Sequence, residues 1–64
     1  MVHYNDIKEG QTVKYYGHTC KVADKAKTDD CGLYVLTLTY PNALMIDVTC
    51  IVQSNDGNFK DVDA

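Results

Sequence analysis

The segment that most constrains the fold is residues 33–40, an uninterrupted run of aliphatic, β-branched and aromatic side chains. From residue 34 onward, the tyrosines and leucines share one parity, and the valine and threonines share the other. A period of two in residues of these types is typical of a strand that buries one face. Because the flanking segments have the same alternation, the sequence predicts an all-β protein.

Turn-forming residues separate this strand from its neighbours. Gly17-His18 marks a tight turn, and Pro41-Asn42 ends the central strand, since proline cannot donate to a ladder. Asn55-Asp56-Gly57-Asn58 is the strongest two-residue hairpin signal, and residues 25–32 form a polar excursion between strands. The predicted strands are residues 12–16, 19–23, 33–40, 44–49 (continuing to residue 52 or interrupted near Cys50) and 59–62.

These strands predict a small twisted barrel, because closure removes the exposed edges of a sheet. No run of a dozen residues has a helical period, so we expect no substantial helix. The predicted core consists of Val13, Tyr15, Cys20, Val22, Tyr34, Leu36, Leu38, Leu44, Ile46 and Val48.

The N-terminal half of the chain resembles a known architecture. Ile7-Lys8-Glu9-Gly10-Gln11-Thr12-Val13, followed by Tyr16-Gly17 and Lys21-Val22, is similar to the first strands of SH3-like barrels, in particular the translation-associated KOW modules. The match covers residues 7–22 and departs from the KOW pattern at Cys20, near where those modules usually carry another glycine. The resemblance implies an SH3-like barrel of four to five antiparallel strands that binds peptides, nucleic acid or other proteins.

Size and charge restrict the function. A chain of 64 residues is one domain, residues 1–64, and has little interior in which to build an enzyme pocket. We therefore expect a non-catalytic binding module with no cofactor. The net charge of −3 and the absence of arginine disfavour a duplex-binding protein. The locally acidic C-terminal end is the segment expected to be mobile.

Cysteine usage and the N-terminal sequence predict a cytoplasmic protein with reduced thiols. Cys20, Cys31 and Cys50 are odd in number and contain no Cys-x-x-Cys pair, which argues against a disulfide framework. The N-terminal residues contain no signal-peptide pattern, and the longest apolar run, residues 43–46, is too short to span a bilayer. Among the histidines and cysteines, His18-x-Cys20 is the only closely spaced pair, so no metal site is predicted.

Aromatic residues are the first candidates for a binding surface. Tyr15 and Tyr16 are adjacent in a predicted strand, so one of them must point outward if the other points inward. An exposed tyrosine offers a rigid, partly apolar contact with a polar hydroxyl, which suits a protein interface. We predict that Tyr16, His18 and Tyr40 contact a protein partner. This small single-module format is common among phage or mobile-element proteins that bind a host component.

Two alternatives use other surfaces. The first is a nucleic-acid-binding module that contacts phosphates through Lys14, Lys21, Lys25 and Lys27. The second is a homodimer formed through the strand pair 33–40 and 43–49, because outward apolar side chains such as Val35 and Met45 favour association.

Overall fold

The computed structural model describes residues 1–28 and 30–64. Asp29, in the predicted excursion, lies outside the described residues. The elements are β1 (Val2–His3), the 3-10 helix η1 (Tyr4–Asp6), β2 (Thr12–Tyr15), β3 (His18–Lys27), β4 (Tyr34–Pro41), β5 (Asp47–Ser54), β6 (Asn58–Phe59) and β7 (Val62–Asp63).

The strands form one large and one small antiparallel sheet. The large sheet has the order β5-β4-β3-β2-β7 and curls into a half-barrel, and β1 pairs with β6 in the small sheet. The predicted all-β class is therefore confirmed. β5 and β7 are the two outer strands of the half-barrel, and they do not pair with each other in the described part of the chain.

The core fills the concave side of the half-barrel. Five of the predicted core residues, Val13, Cys20, Val22, Leu36 and Leu38, are fully buried there, whereas Tyr15, Tyr34 and Val48 are only half-buried. The predicted core did not include four other hydrophobic residues that are buried in the described part of the chain. Val2, Ile7, Phe59 and Val62 come from short terminal segments whose periodicity is too brief to read, and they close the core from outside the central strands. Val62 also anchors the acidic C-terminal end, where β7 pairs with β2.

β3 contains a β-bulge at Ala23 and continues beyond its predicted end at that residue. Val22 lies opposite Leu38 but Asp24 lies opposite Thr37, so Ala23 is the extra residue. The predicted excursion over residues 25–32 is wrong at its start, because β3 continues to Lys27. The bulge shifts the alternation by one residue, which hides the strand from a simple period-two pattern.

The prediction that Leu44 and Ile46 are core residues in a strand is wrong, because residues 42–46 form the β4–β5 turn. The Asn42 side-chain oxygen accepts hydrogen bonds from the backbone N–H groups of Leu44 (2.8 Å) and Ile46 (3.1 Å). Met45 adopts a φ of +60°, a left-handed conformation that is rare in non-glycine residues. Leu44, Met45 and Ile46, named here the apolar tip, are all exposed.

The turn predicted at residues 55–58 exists, but it does not make the predicted hairpin. Gly57 has a φ of +87°, and its N–H donates to the Ser54 hydroxyl at 3.1 Å. Beyond this turn β6 pairs with β1 rather than with β5, and the predicted strand 59–62 is divided into β6 and β7. The Tyr4 N–H donates to the Gly57 carbonyl at 2.8 Å, which fixes the N-terminal segment to this turn.

Candidate protein-binding site

Four aromatic side chains lie at one end of the half-barrel, in two contacting pairs. Tyr15 and His18 lie directly opposite each other where β2 and β3 meet, and Tyr16 follows in the turn between them. Tyr40, near the end of β4, contacts His18. We call Tyr15, Tyr16, His18 and Tyr40 the aromatic band. The structure thus brings together all three residues predicted to contact a partner, and it adds Tyr15.

Tyr16 occupies an exposed turn position in the band. Tyr16 and Gly17 have φ values of +49° and +81°, which match the two central residues of a type I′ hairpin turn. Asn, Asp and Gly are the residues that favour this conformation, yet the first position carries a tyrosine whose surface is 69% exposed. The Tyr16 ring meets the Tyr15 ring edge-on, with centroids 4.6 Å apart. A hydrogen bond to the Asp61 carboxylate, together with its negative charge, raises the pKa of Tyr16.

The other half of the band is a stacked pair. The rings of His18 and Tyr40 have centroids 4.6 Å apart and planes 16° from parallel. Tyr40 is half-buried against the core while His18 remains exposed, so the stack links the interior to the surface. Burial raises the pKa of Tyr40, and the neighbouring Cys50 thiol adds to this effect.

A shallow cleft of about 340 Å³ has Tyr40 in its lining but lies mainly on the convex face of the sheet, because Thr12, Thr19, Lys21 and Thr39, which also line it, have the opposite parity to the buried residues. Tyr40 and Pro41 from β4 and Asp47 from β5 form one side of it. The rest of its lining is small and polar, with one lysine and one buried cysteine: Thr12, Thr19, Cys20, Lys21 and Thr39. The cleft offers hydroxyl groups and one charge of each sign, and Tyr40 is the one residue of the aromatic band that lines it.

The four lysines of the nucleic-acid alternative do not share one face. Lys14 and Lys21 have the opposite parity to the buried residues of β2 and β3, so they lie on the convex face. After the bulge, Lys25 and Lys27 lie opposite Leu36 and Tyr34 and therefore face the concave side.

Both concave-side lysines cover aromatic rings. The Lys25 ammonium is 4.4 Å from the centroid of the Tyr4 ring and donates to the Tyr4 carbonyl at 3.0 Å. The Lys27 ammonium is 5.1 Å from the centroid of the Tyr34 ring. These contacts are cation–π interactions within the fold, and they occupy two of the four predicted phosphate contacts.

The three cysteines differ in exposure. Cys20 is buried, Cys50 is half-buried and Cys31 is exposed. The Cys20 thiol lies 3.5 Å from the His18 carbonyl oxygen, and burial raises its pKa, which disfavours the reactive thiolate. Within residues 1–28 and 30–64, no group of three or more His, Cys, Asp or Glu side chains could hold a metal ion.

The alternation of the apolar tip with Val48 predicts a strand, so the exposure of the tip was missed. Asn42, a residue whose side chain caps turns, is the signal that could have indicated the turn. Of the two residues suggested for a homodimer, Met45 is exposed in this tip and Val35 is half-buried.

No protein-family model, curated protein or solved structure matches the chain. The resemblance to KOW modules therefore stays a prediction. Its residues do have a shared structural role: Ile7, Val13 and Val22 are buried, and the Gly10 N–H donates to the Val22 carbonyl at 2.8 Å. In the described part of the chain, no helix has the length and apolar character needed to cross a membrane.

Proposed function

We propose that this protein is a non-catalytic module that binds another protein through the aromatic band. The observation that carries the proposal is Tyr16, an exposed tyrosine in a left-handed turn position. A non-glycine residue in this conformation costs roughly 1–2 kcal/mol. Tyr16 contacts Tyr15 edge-on and hydrogen-bonds the Asp61 carboxylate at the surface, but it does not enter the core, so its ring contributes little to the fold. Backbone strain of this kind concentrates at functional sites.

The remainder of the band has the composition of an interface centre. Tyrosine is enriched at protein interfaces because its ring supplies apolar area and its hydroxyl supplies a hydrogen bond. The contact between Tyr15 and Tyr16 limits the motion of these two rings before binding, and the stack does the same for His18 and Tyr40. A surface ordered in advance loses less entropy when the complex forms.

The test separates binding from stability at Tyr16. Tyr16→Asn places a residue that tolerates positive φ at the same position, so it should keep or raise the free energy of unfolding while removing the ring. Wild-type protein immobilised on beads should retain a specific protein from a lysate of the source organism. Tyr16→Asn and Tyr40→Leu should lose it, and Lys60→Asn, an exposed change outside the band, should keep it.

The purified partner would then be titrated by calorimetry. We expect Tyr16→Asn to weaken the affinity at least tenfold, as is common for a central interface tyrosine. A folded Tyr16→Asn variant that binds as tightly as wild type would exclude the aromatic band as the contact surface.

The alternative of nucleic-acid binding has a separate test. Phosphate-driven complexes are strongest at low salt. Since two of the four lysines face the concave side and contact tyrosines, we expect no gel shift with single- or double-stranded DNA or RNA at low salt. A shift that disappears as salt rises, and that Lys14→Ala or Lys21→Ala weakens, would favour the nucleic-acid alternative instead.

A further inference from the structure

The outer edge of β5 is an unprotected strand edge. β5 pairs with β4 along eight residues without a register shift and has no second strand beside it in the part of the chain that the structure describes. Its last seven residues, Val-Thr-Cys-Ile-Val-Gln-Ser, contain no charge and no proline. Proteins normally protect such an edge with lysine, proline, a bulge or a very short strand. The opposite edge of the same sheet follows that rule, because β7 has two residues and includes Asp63.

The hydrogen-bonding pattern identifies which backbone groups are unpaired. The Asn42 N–H donates to the Ile46 carbonyl at 3.0 Å, which makes these residues a hydrogen-bonded pair. Hydrogen-bonded and non-hydrogen-bonded pairs alternate along an antiparallel ladder. The even-numbered residues of β5 therefore bond to β4, and Pro41, which has no N–H, falls opposite Asp47 in a non-bonded pair. The residues whose N–H and C=O groups point away from β4 are Asp47, Thr49, Ile51 and Gln53.

Exposed apolar side chains concentrate along the same element. Six large hydrophobic residues are exposed, and four of them, Leu44, Met45, Ile46 and Ile51, lie in the apolar tip and β5 with 57–81% of their surface accessible. The concave-face residues Val48, Cys50 and Val52 are only half-buried. β5 and the apolar tip thus form one surface that carries both unpaired backbone groups and exposed apolar side chains.

We propose that β5 pairs antiparallel with β5 of a second copy of this chain, about a two-fold axis through Cys50. A two-fold axis perpendicular to the sheet keeps the concave faces on the same side, which requires that paired residues have the same parity. Centring on Cys50 pairs Thr49 with Ile51 of the second copy, and Asp47 with Gln53. All of these residues have outward-pointing backbone groups, and no like charges meet.

The same axis gives the apolar tip a partner surface. Ile46 falls beside Ser54 of the second copy, so the tip reaches the far end of the opposing β5. A cleft of about 340 Å³ lies there, and its lining combines Val52 and Phe59 with polar residues: Gln53, Ser54, Asn55, Asp56, Asn58, Lys60 and Asp61. Each copy supplies the same edge, tip and cleft, so the contact is reciprocal, as a two-fold interface demands. This reciprocity favours a second copy over an unrelated extended peptide as the occupant.

The proposal is tested by measuring the molecular mass of the wild-type protein and of three variants in solution. Ile51→Lys puts a charge in the centre of the interface, and Thr49→Pro removes an outward N–H without removing a bond to β4. Thr12→Lys adds the same charge at an exposed position of β2, three strands away from β5. By sedimentation and light scattering, wild type and Thr12→Lys should be dimers at high protein concentration that dissociate on dilution. Ile51→Lys and Thr49→Pro should be monomers with unchanged circular dichroism.

Amide exchange supplies an independent measurement. The Thr49, Ile51 and Gln53 amides should be protected in concentrated wild-type protein and should exchange rapidly in Ile51→Lys, while the Cys50 amide stays protected in both. Tyr16→Asn should leave the mass unchanged, so this proposal and the proposed function can fail separately. A wild-type monomer at millimolar concentration would overturn the dimer, and so would a dimer that persists in a folded Ile51→Lys.

Discussion

His18 and Tyr40 stack across β3 and β4 with their ring centroids 4.6 Å apart. The two residues are 22 positions apart in the chain. They meet because the register that places Lys21 opposite Thr39 brings the start of β3 to the end of β4. The candidate binding surface therefore depends on strand pairing, and its integrity can be measured through stability.

We expect His18→Ala to lower the free energy of unfolding by about 0.5–1 kcal/mol, the range for an aromatic pair at a surface. The reason is loss of the stack with Tyr40, since the His18 side chain is exposed and adds little burial. Chemical denaturation followed by tyrosine fluorescence would measure the change. Thr19→Ala, at the neighbouring exposed position of the same strand, is the control and should change stability less.

Gly57 is the position where a methyl group should cost most. Its φ is +87°, and a Cβ there would lie 2.9 Å from the His3 Nε2 atom. Gly10 is a matched control, since its φ is +85° but a Cβ would meet no described atom within 4 Å. Both alanine variants carry the left-handed penalty of roughly 1–2 kcal/mol, and Gly57→Ala adds the steric conflict. Thermal unfolding should show Gly57→Ala to be the less stable; equal stabilities would mean that His3 moves aside freely.

Asp56 makes stability depend on pH in the acid range. Hydrogen bonds from the Asn58 backbone N–H (3.0 Å) and from the Ser54 hydroxyl (2.9 Å) lower the pKa of Asp56 from 3.8 to about 2. Because the folded-state pKa is below the unfolded one, the stabilisation is present above pH 3.8 and disappears as the pH falls toward 2.

Asp56→Asn should therefore flatten the pH dependence of the urea midpoint between pH 4 and 2. Asp24→Asn, a substitution in β3 away from this turn, should retain the wild-type slope there. A wild-type slope in Asp56→Asn would show that the carboxylate does not stabilise the turn.

The three thiols should react in the order of their exposure. Cys31 is exposed, Cys50 is half-buried and Cys20 is buried, with burial also raising the pKa of Cys20. Because the thiolate is the reactive form, alkylation followed by mass spectrometry should modify Cys31 first and Cys20 last. In denaturant the three rates should converge. Native Cys20 reacting as fast as Cys31 would indicate that the core opens readily.

Part of the candidate site could be predicted from the sequence. Tyr16 and His18 flank a turn signal, Gly17, so their exposure follows from local chemistry. Their contact with Tyr40 does not, because it requires knowing which strands pair and in what register. The bulge at Ala23 then decides which lysines face solvent on the convex side, and no single residue type marks a bulge in one sequence.

By itself, the sequence determined the local conformation: alternating apolar residues specify β4 and the first half of β3, and glycine and asparagine specify the turns. Tertiary structure decided the rest. Leu44 and Ile46 alternate with their neighbours as strand residues do, yet hydrogen bonds to Asn42 hold them in a turn where their side chains are exposed to solvent. Phe59 follows a hairpin signal, yet its strand pairs with Val2 at the other end of the chain. Partner choice depends on burial and hydrogen bonds between distant residues, which a period of two does not encode.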